Sequence, residues 1–142
     1  MSTTPIETLY PFAERFVVDT DGTDAVDIWD IPAGTIITRV LVQIDVDGTG
    51  DSGGNIIVGD DDDDNGYILA ANVCGGTAGT VYGDHINELG EYLEPSGAVG
   101  SYEPGCWKTY SSAGKELKLD CSAALTTEAT LSIYVFGFRA SI

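Results

Sequence analysis

Positive charge is what this sequence lacks most. Only 6 of its 142 residues are Lys or Arg, against 23 Asp and Glu, for a formal net charge of −17. A surface this acidic repels phosphate backbones and anionic headgroups, which argues against nucleic acid and membranes as partners. Long apolar runs are missing too. None reaches the roughly 18 residues that a spanning helix requires, and the opening Met1-Ser2-Thr3-Thr4-Pro5-Ile6-Glu7 has no basic stretch leading into an apolar one. The expectation is a soluble, unexported chain. Histidine occurs once, as His85, and Cys74, Cys106 and Cys121 stand 32 and 15 residues apart, without the close pairing of a zinc site or a disulfide framework. No GxSxG nucleophile turn is present, and the Gly-rich stretch Gly75-Gly76-Thr77-Ala78-Gly79-Thr80 lacks the lysine of a P-loop. The chain reads as a non-enzyme, and no organic cofactor is expected.

What is present is enough apolar material, 43% of residues, for one packed domain. No segment carries the helical period, whereas β-branched and aromatic runs bounded by Gly, Asp and Pro recur at short intervals. Strands are expected over 15–19, 25–31, 36–46, 55–59, 67–71, 80–82, 107–111, 116–120 and 130–139. From Thr38 to Val46 the even positions 40, 42, 44 and 46 are apolar while 39, 43 and 45 are polar, so one face is core and the other wet. The last strand is apolar on both faces: Leu131, Ile133, Val135 and Gly137 share one, and Ser132, Tyr134, Phe136 and Phe138 the other. That pattern marks a central strand covered on its second side by a sheet, a loop or another subunit. The expected fold is all-β, an antiparallel β-sandwich or jelly roll of about eight to nine strands. An extended N-terminal arm covers 1–14 and a single sandwich domain 15–142, with an irregular Gly-rich loop at 75–106. Within that loop, Asp84 is positioned to cap one helical turn through Leu89.

Two acidic turns invite a metal. Gly59-Asp60-Asp61-Asp62-Asp63-Asp64-Asn65-Gly66 sets five carboxylates in a row, and hard oxygen ligands at this density suit Ca²⁺, with Asp60, Asp62 and Asp64 as ligands. The same turn reads equally as a solvated, self-repelling loop that discourages edge-to-edge strand pairing. Asp45, Asp47, Thr49, Gly50 and Asp51 match positions 1, 3, 5, 6 and 7 of an EF-hand loop, but position 12 is Ile56, so the closing bidentate carboxylate is absent. Asp19–Thr23 and Asp45–Thr49 share the pattern D-x-D-G-T, and their Asp-Gly pairs suit tight hairpins. The N-terminal arm carries Ile6, Leu9, Tyr10 and Phe12, apolar anchors for a neighbour's surface or for the chain's own sandwich. Trp107, beside Gly105-Cys106, is a further candidate for an interface, and Trp29 for the core.

The segment Asp27-Ile28-Trp29-Asp30-Ile31-Pro32-Ala33-Gly34-Thr35-Ile36-Ile37-Thr38-Arg39-Val40, with Ile57-Val58-Gly59-Asp60 and Gly66-Tyr67-Ile68-Leu69-Ala70-Ala71 after it, resembles a pattern of small β-rich structural proteins of tailed bacteriophages. The resemblance covers about residues 25 to 75 and the apolar terminal strand. It implies a virion component, foremost a capsid decoration (cement) protein on the outer surface of the head, made in the host cytoplasm. The implied partners are the major capsid protein and further copies of the chain, as a homotrimer. A head-fibre or tail module binding a host glycan, or a Ca²⁺-dependent carbohydrate-binding module, are the other readings.

Overall fold

The computed structural model describes residues 8–49, 54–72, 77–93 and 107–140. Nine strands are present among them: β1 (Tyr10–Thr20), β2 (Val26–Ile31), β3 (Thr35–Val46), β4 (Asn55–Gly59), β5 (Ile68–Asn72), β6 (Val81–Tyr82), β7 (Lys108–Tyr110), β8 (Lys115–Cys121) and β9 (Ala129–Arg139). They form two antiparallel sheets packed as a sandwich. Sheet A has the order β1-β9-β3-β6, with β7 also on β3; sheet B has the order β2-β8-β4-β5. The all-β sandwich expected from the alternation is what the chain forms.

The inward faces of β3 and β9 supply Ile37, Val40, Val42, Ile44, Leu131, Ile133 and Val135, all without exposed surface, and sheet B answers with Ile56, Val58, Leu117 and Leu119. β9 is central, paired along its length with both β1 and β3; its second apolar side, with Phe138 41% exposed, has no cover among the described residues. Val46 departs from the expected alternation and is 53% exposed, because a bulge between Ile44 and Val46 shifts the register by one residue.

β1 starts five residues earlier than expected, at Tyr10. Pro11 lies within it, since β1 is an edge strand and an edge tolerates a missing N–H. The D-x-D-G-T turns are not hairpins. Gly22 has the positive φ of 79° that its turn requires, and Asp21 Oδ1 accepts from the N–H of Thr23, but the turn carries the chain from sheet A to sheet B. Thr49, at the end of the second turn, bridges to Thr127 instead of closing on β3, and β4 again lies in the opposite sheet. The helical turn is a single 3-10 turn, Ile86–Glu88, at whose start His85 Nδ1, not Asp84, accepts from the N–H of Asn87 at 3.4 Å.

Candidate functional site

The acidic turn closes one end of the sandwich. It begins at Gly59, where a Cβ would lie 2.0 Å from the Asp63 carbonyl, so only glycine fits. The turn is held by the N–H of Asp60 donating to that carbonyl at 2.9 Å. Asp60 faces inward and is 3% exposed. Its Oδ1 accepts from the hydroxyl of Tyr92 at 2.8 Å and from the N–H groups of Asp62 and Asp63 at 2.9 and 3.1 Å. Its Oδ2 accepts from the hydroxyl of Tyr110 at 2.6 Å, and that hydroxyl lies 2.7 Å from the hydroxyl of Tyr67. Tyr110 belongs to sheet A and the turn to sheet B, so one carboxylate ties the two sheets together. Burial pushes the hydroxyls of Tyr67, Tyr92 and Tyr110 well above the usual tyrosine range, which keeps them protonated as donors.

The neighbouring carboxylates have other occupations. Asp62 sits between Lys115 at 2.7 Å and Lys108 at 3.4 Å, and the Lys108 ammonium lies 4.3 Å from the centre of the Tyr92 ring. Asp61 holds Lys118 at 2.6 Å and accepts from the N–H of Glu116 at 3.1 Å. These lysine hydrogen bonds hold both carboxyls below the ordinary aspartate value. Asp64 is exposed. The sequence-based trio Asp60, Asp62 and Asp64 therefore goes to three destinations: a buried hydroxyl network, a pair of lysines, and solvent. Among the described residues no three His, Cys, Asp or Glu side chains are grouped as a metal set. In the other acidic turn Asp45 is engaged by the Ser132 hydroxyl and by Arg15, while Gly50 and Asp51 lie outside the described residues.

Of the expected interface anchors, Leu9 and Tyr10 are each 38% exposed and Trp107, which leads into β7, is 52% exposed. Phe12 is a correction. It is 8% exposed and packs inside its own sandwich, its ring 5.7 Å from that of Trp29, beneath the Arg139 guanidinium at 5.0 Å. Alternation along β1 sends Phe12 inward with Phe16 and Val18. Ile6, Cys74 and Cys106 lie outside the described residues; Cys121 is a free, half-buried thiol whose Sγ donates to the Ala123 carbonyl at 3.2 Å.

The two outer faces of the sandwich differ sharply. Eight large apolar side chains are exposed among the described residues, and seven of them, all but Leu69, lie in or beside the strands of sheet A. On its outer face Pro11, Phe138 and Ile36 line up across β1, β9 and β3, and Ala13 and Phe136 follow in the next row. The charges there balance, Arg15 and Arg39 against Asp19 and Asp45. Arg15 and Asp45 are joined through the Ser132 hydroxyl, and Asp19 accepts from Thr130. The outer face of sheet B instead presents Asp27, Asp30, Glu116 and Asp120 around the single Lys118. Repulsion, first from Asp27 and then reinforced by desolvation and Asp30, raises the Glu116 carboxyl above its ordinary value.

No family model matches the chain, and no curated protein matches it. Solved structures do. The capsid asymmetric unit of cyanophage Pam1 contains a similar chain, with a TM-score of 0.61 and 13% identity, over 98% of this chain and 91% of that one. The capsid of Ralstonia phage GP4 gives 0.60 and 16% over 100% and 92%, and the acid-stable capsid of Helicobacter pylori bacteriophage KHP30 gives 0.57 and 12% over 94% and 95%. At these identities the likeness is one of fold. It extends over nearly the whole of both chains in each pair, so the matched domains are close to this one in size.

Proposed function

We propose that this chain is a structural component of a tailed-phage virion, a capsid decoration protein that sits on the outer surface of the major capsid protein lattice and stabilises the head. The observation that carries this reading is the end-to-end likeness in fold to chains of three phage capsid structures. The surface chemistry agrees with it. A protein that works by adhesion needs one face able to bury apolar area, and the outer face of sheet A offers the row Pro11, Phe138 and Ile36 with Ala13 and Phe136 behind it. It also needs an exterior that keeps particles apart, and sheet B is dominated by carboxylates.

The working unit in this proposal is a homotrimer, made in the host cytoplasm and held by residues 1–9, ahead of β1, which lie against a neighbouring copy and lend backbone groups to a strand edge. β1 presents such an edge, and Leu9 and Tyr10 are exposed where it begins. No chemistry is assigned to the protein. Cosedimentation with mature capsids lacking it, with light scattering on the same preparation, tests the reading. Saturable binding by a species of three times 14.9 kDa is expected. Binding to host cells or glycans with none to capsids would move the protein to a fibre or tail.

A further inference from the structure

Five of the six cations touch a carboxylate: Arg15 with Asp45, Lys108 and Lys115 with Asp62, Lys118 with Asp61, and Arg139 with Glu14. Arg39 has no ion pair or hydrogen bond among the described residues and is exposed. In a chain with 23 carboxylates, one arginine that touches none of those in the described residues is conspicuous. Its position is equally unusual. Arg39 follows the first of the two bulges of β3, between Ile37 and Arg39, and stands opposite Phe136 on the outer face of sheet A. Bulges re-aim side chains and interrupt pairing. β7 covers the edge of β3 at Thr35–Ile37 and β6 covers it at Val42 and Gln43, leaving the stretch between them without a strand partner among the described residues. An open pocket of about 260 Å³ occupies this gap, lined by Thr38, Arg39, Gly83, Asp84, Leu89 and Leu93.

We infer that the outer face of sheet A is the surface that lies on the capsid, and that Arg39 is its central anchor, taking a carboxylate of the capsid protein beside the apolar row. This rests on the function proposed above and names the surface and the chemistry of its partner. Three observations converge on it: a planar, five-donor cation left unpaired, an apolar and charge-balanced surround, and a pocket beside it for an inserted side chain. Guanidinium groups bind carboxylates through two parallel hydrogen bonds, and apolar neighbours that exclude water strengthen such a pair. Charge selects the occupant. A second copy laid on this face would bring a further −17 with the carboxylate it offers, which disfavours it there. The proposed trimer contacts run through residues 1–9, ahead of β1, and do not use Arg39, Phe136 or Phe138.

The test is capsid cosedimentation with Arg39→Glu, Phe138→Ser and, on the opposite face, Asp30→Lys. Each variant is first shown to keep the wild-type circular dichroism spectrum and thermal midpoint. Arg39→Glu and Phe138→Ser are expected to weaken binding at least tenfold, Arg39→Lys to retain part of it, and Asp30→Lys to bind as wild type. Wild-type affinity in both sheet A variants would overturn the inference and leave the decoration role standing. If the same two variants instead abolished self-association seen by light scattering, with capsid binding intact, the face would belong to a second copy and the inference would fall. Failure of the wild type itself to bind capsids would overturn the decoration role and, with it, the partner assigned here.

Discussion

Carboxylates crowd in two places on this molecule, and the crowding has opposite consequences. In the turn after β4, Asp60, Asp61 and Asp62 are each met by donors or cations from other elements, and the lysines facing Asp61 and Asp62 hold those two carboxyls below their usual value. On the outer face of sheet B, Asp27, Asp30 and Glu116 face chiefly one another, and Glu116 is raised. The local density of acid is similar. What differs is whether the fold delivers a partner, and that decides whether a carboxylate binds the structure together or strains it.

Removing the hub of the first region has the largest expected effect. Asp60→Ala leaves two tyrosine hydroxyls and two N–H groups without their acceptor inside the sandwich end, and hydrogen bonds to a charged group are worth about 1.5–3 kcal/mol each. Because neighbouring losses overlap, we expect destabilisation of about 3–5 kcal/mol. That corresponds to a fall of roughly 10 °C in thermal midpoint. Asp60→Asn, which keeps an acceptor oxygen, is expected to cost less. A midpoint unchanged in both variants would mean that the turn does not tie the sheets together.

The tyrosines of the same cluster give a second, pH-dependent test. Their folded values lie above the ordinary tyrosine value of about 10, so protonation favours the folded state. This contribution is whole below pH 10 and is lost as pH rises beyond it, when the unfolded chain releases protons that the folded one keeps. Absorbance titration at 295 nm should show ionisation of Tyr67, Tyr92 and Tyr110 only together with unfolding. Titration of all seven tyrosines near pH 10 in a folded protein would contradict the burial described.

The second region should respond in the opposite sense. Glu116 is raised, so its contribution to stability is present below the unfolded value and is lost as pH rises through the folded one. Glu116→Gln is therefore expected to raise the midpoint at pH 7 and to change little below pH 4. Asp61 and Asp62 are lowered, and what they contribute is present at neutral pH and lost only as pH falls below about 4. Sodium chloride, which screens repulsion on the exposed face more than the buried hydrogen bonds, should raise the wild-type midpoint modestly between low and moderate salt, and by less in Glu116→Gln. An equal salt response in the two proteins would show that sheet B is not where the repulsion lies. The smallest effect expected is that of millimolar Ca²⁺. With Asp60 and Asp62 already engaged, the midpoint should not move, and a clear rise would restore the metal reading.

The layout of strands was legible because it depends on a local property. Side chains alternate along a strand, so the apolar positions of β3 and β9 announce both the strands and their inner faces, and β9's two apolar sides announce a central position. The start of β1 at Tyr10 was not legible, since a strand running through Pro11 depends on that strand lying at an edge. The candidate sites were less legible. Five consecutive aspartates look like a ligand set, yet the donors that occupy Asp60 come from Tyr92 and Tyr110, 32 and 50 residues away. Nothing in the spacing of the acids points to those tyrosines.

By itself, the sequence determined an all-β chain, the inner faces of its strands and the excess of negative charge, because alternation, turn chemistry and composition act over a few residues or sum over all of them. Only the tertiary structure decided where that charge is neutralised, why Phe12 turns inward, and that Arg39, among the described residues, meets no carboxylate on a charge-balanced apolar face. Each of those depends on which distant strand or turn lies alongside, and burial, ion pairing and exposure are properties of that neighbourhood.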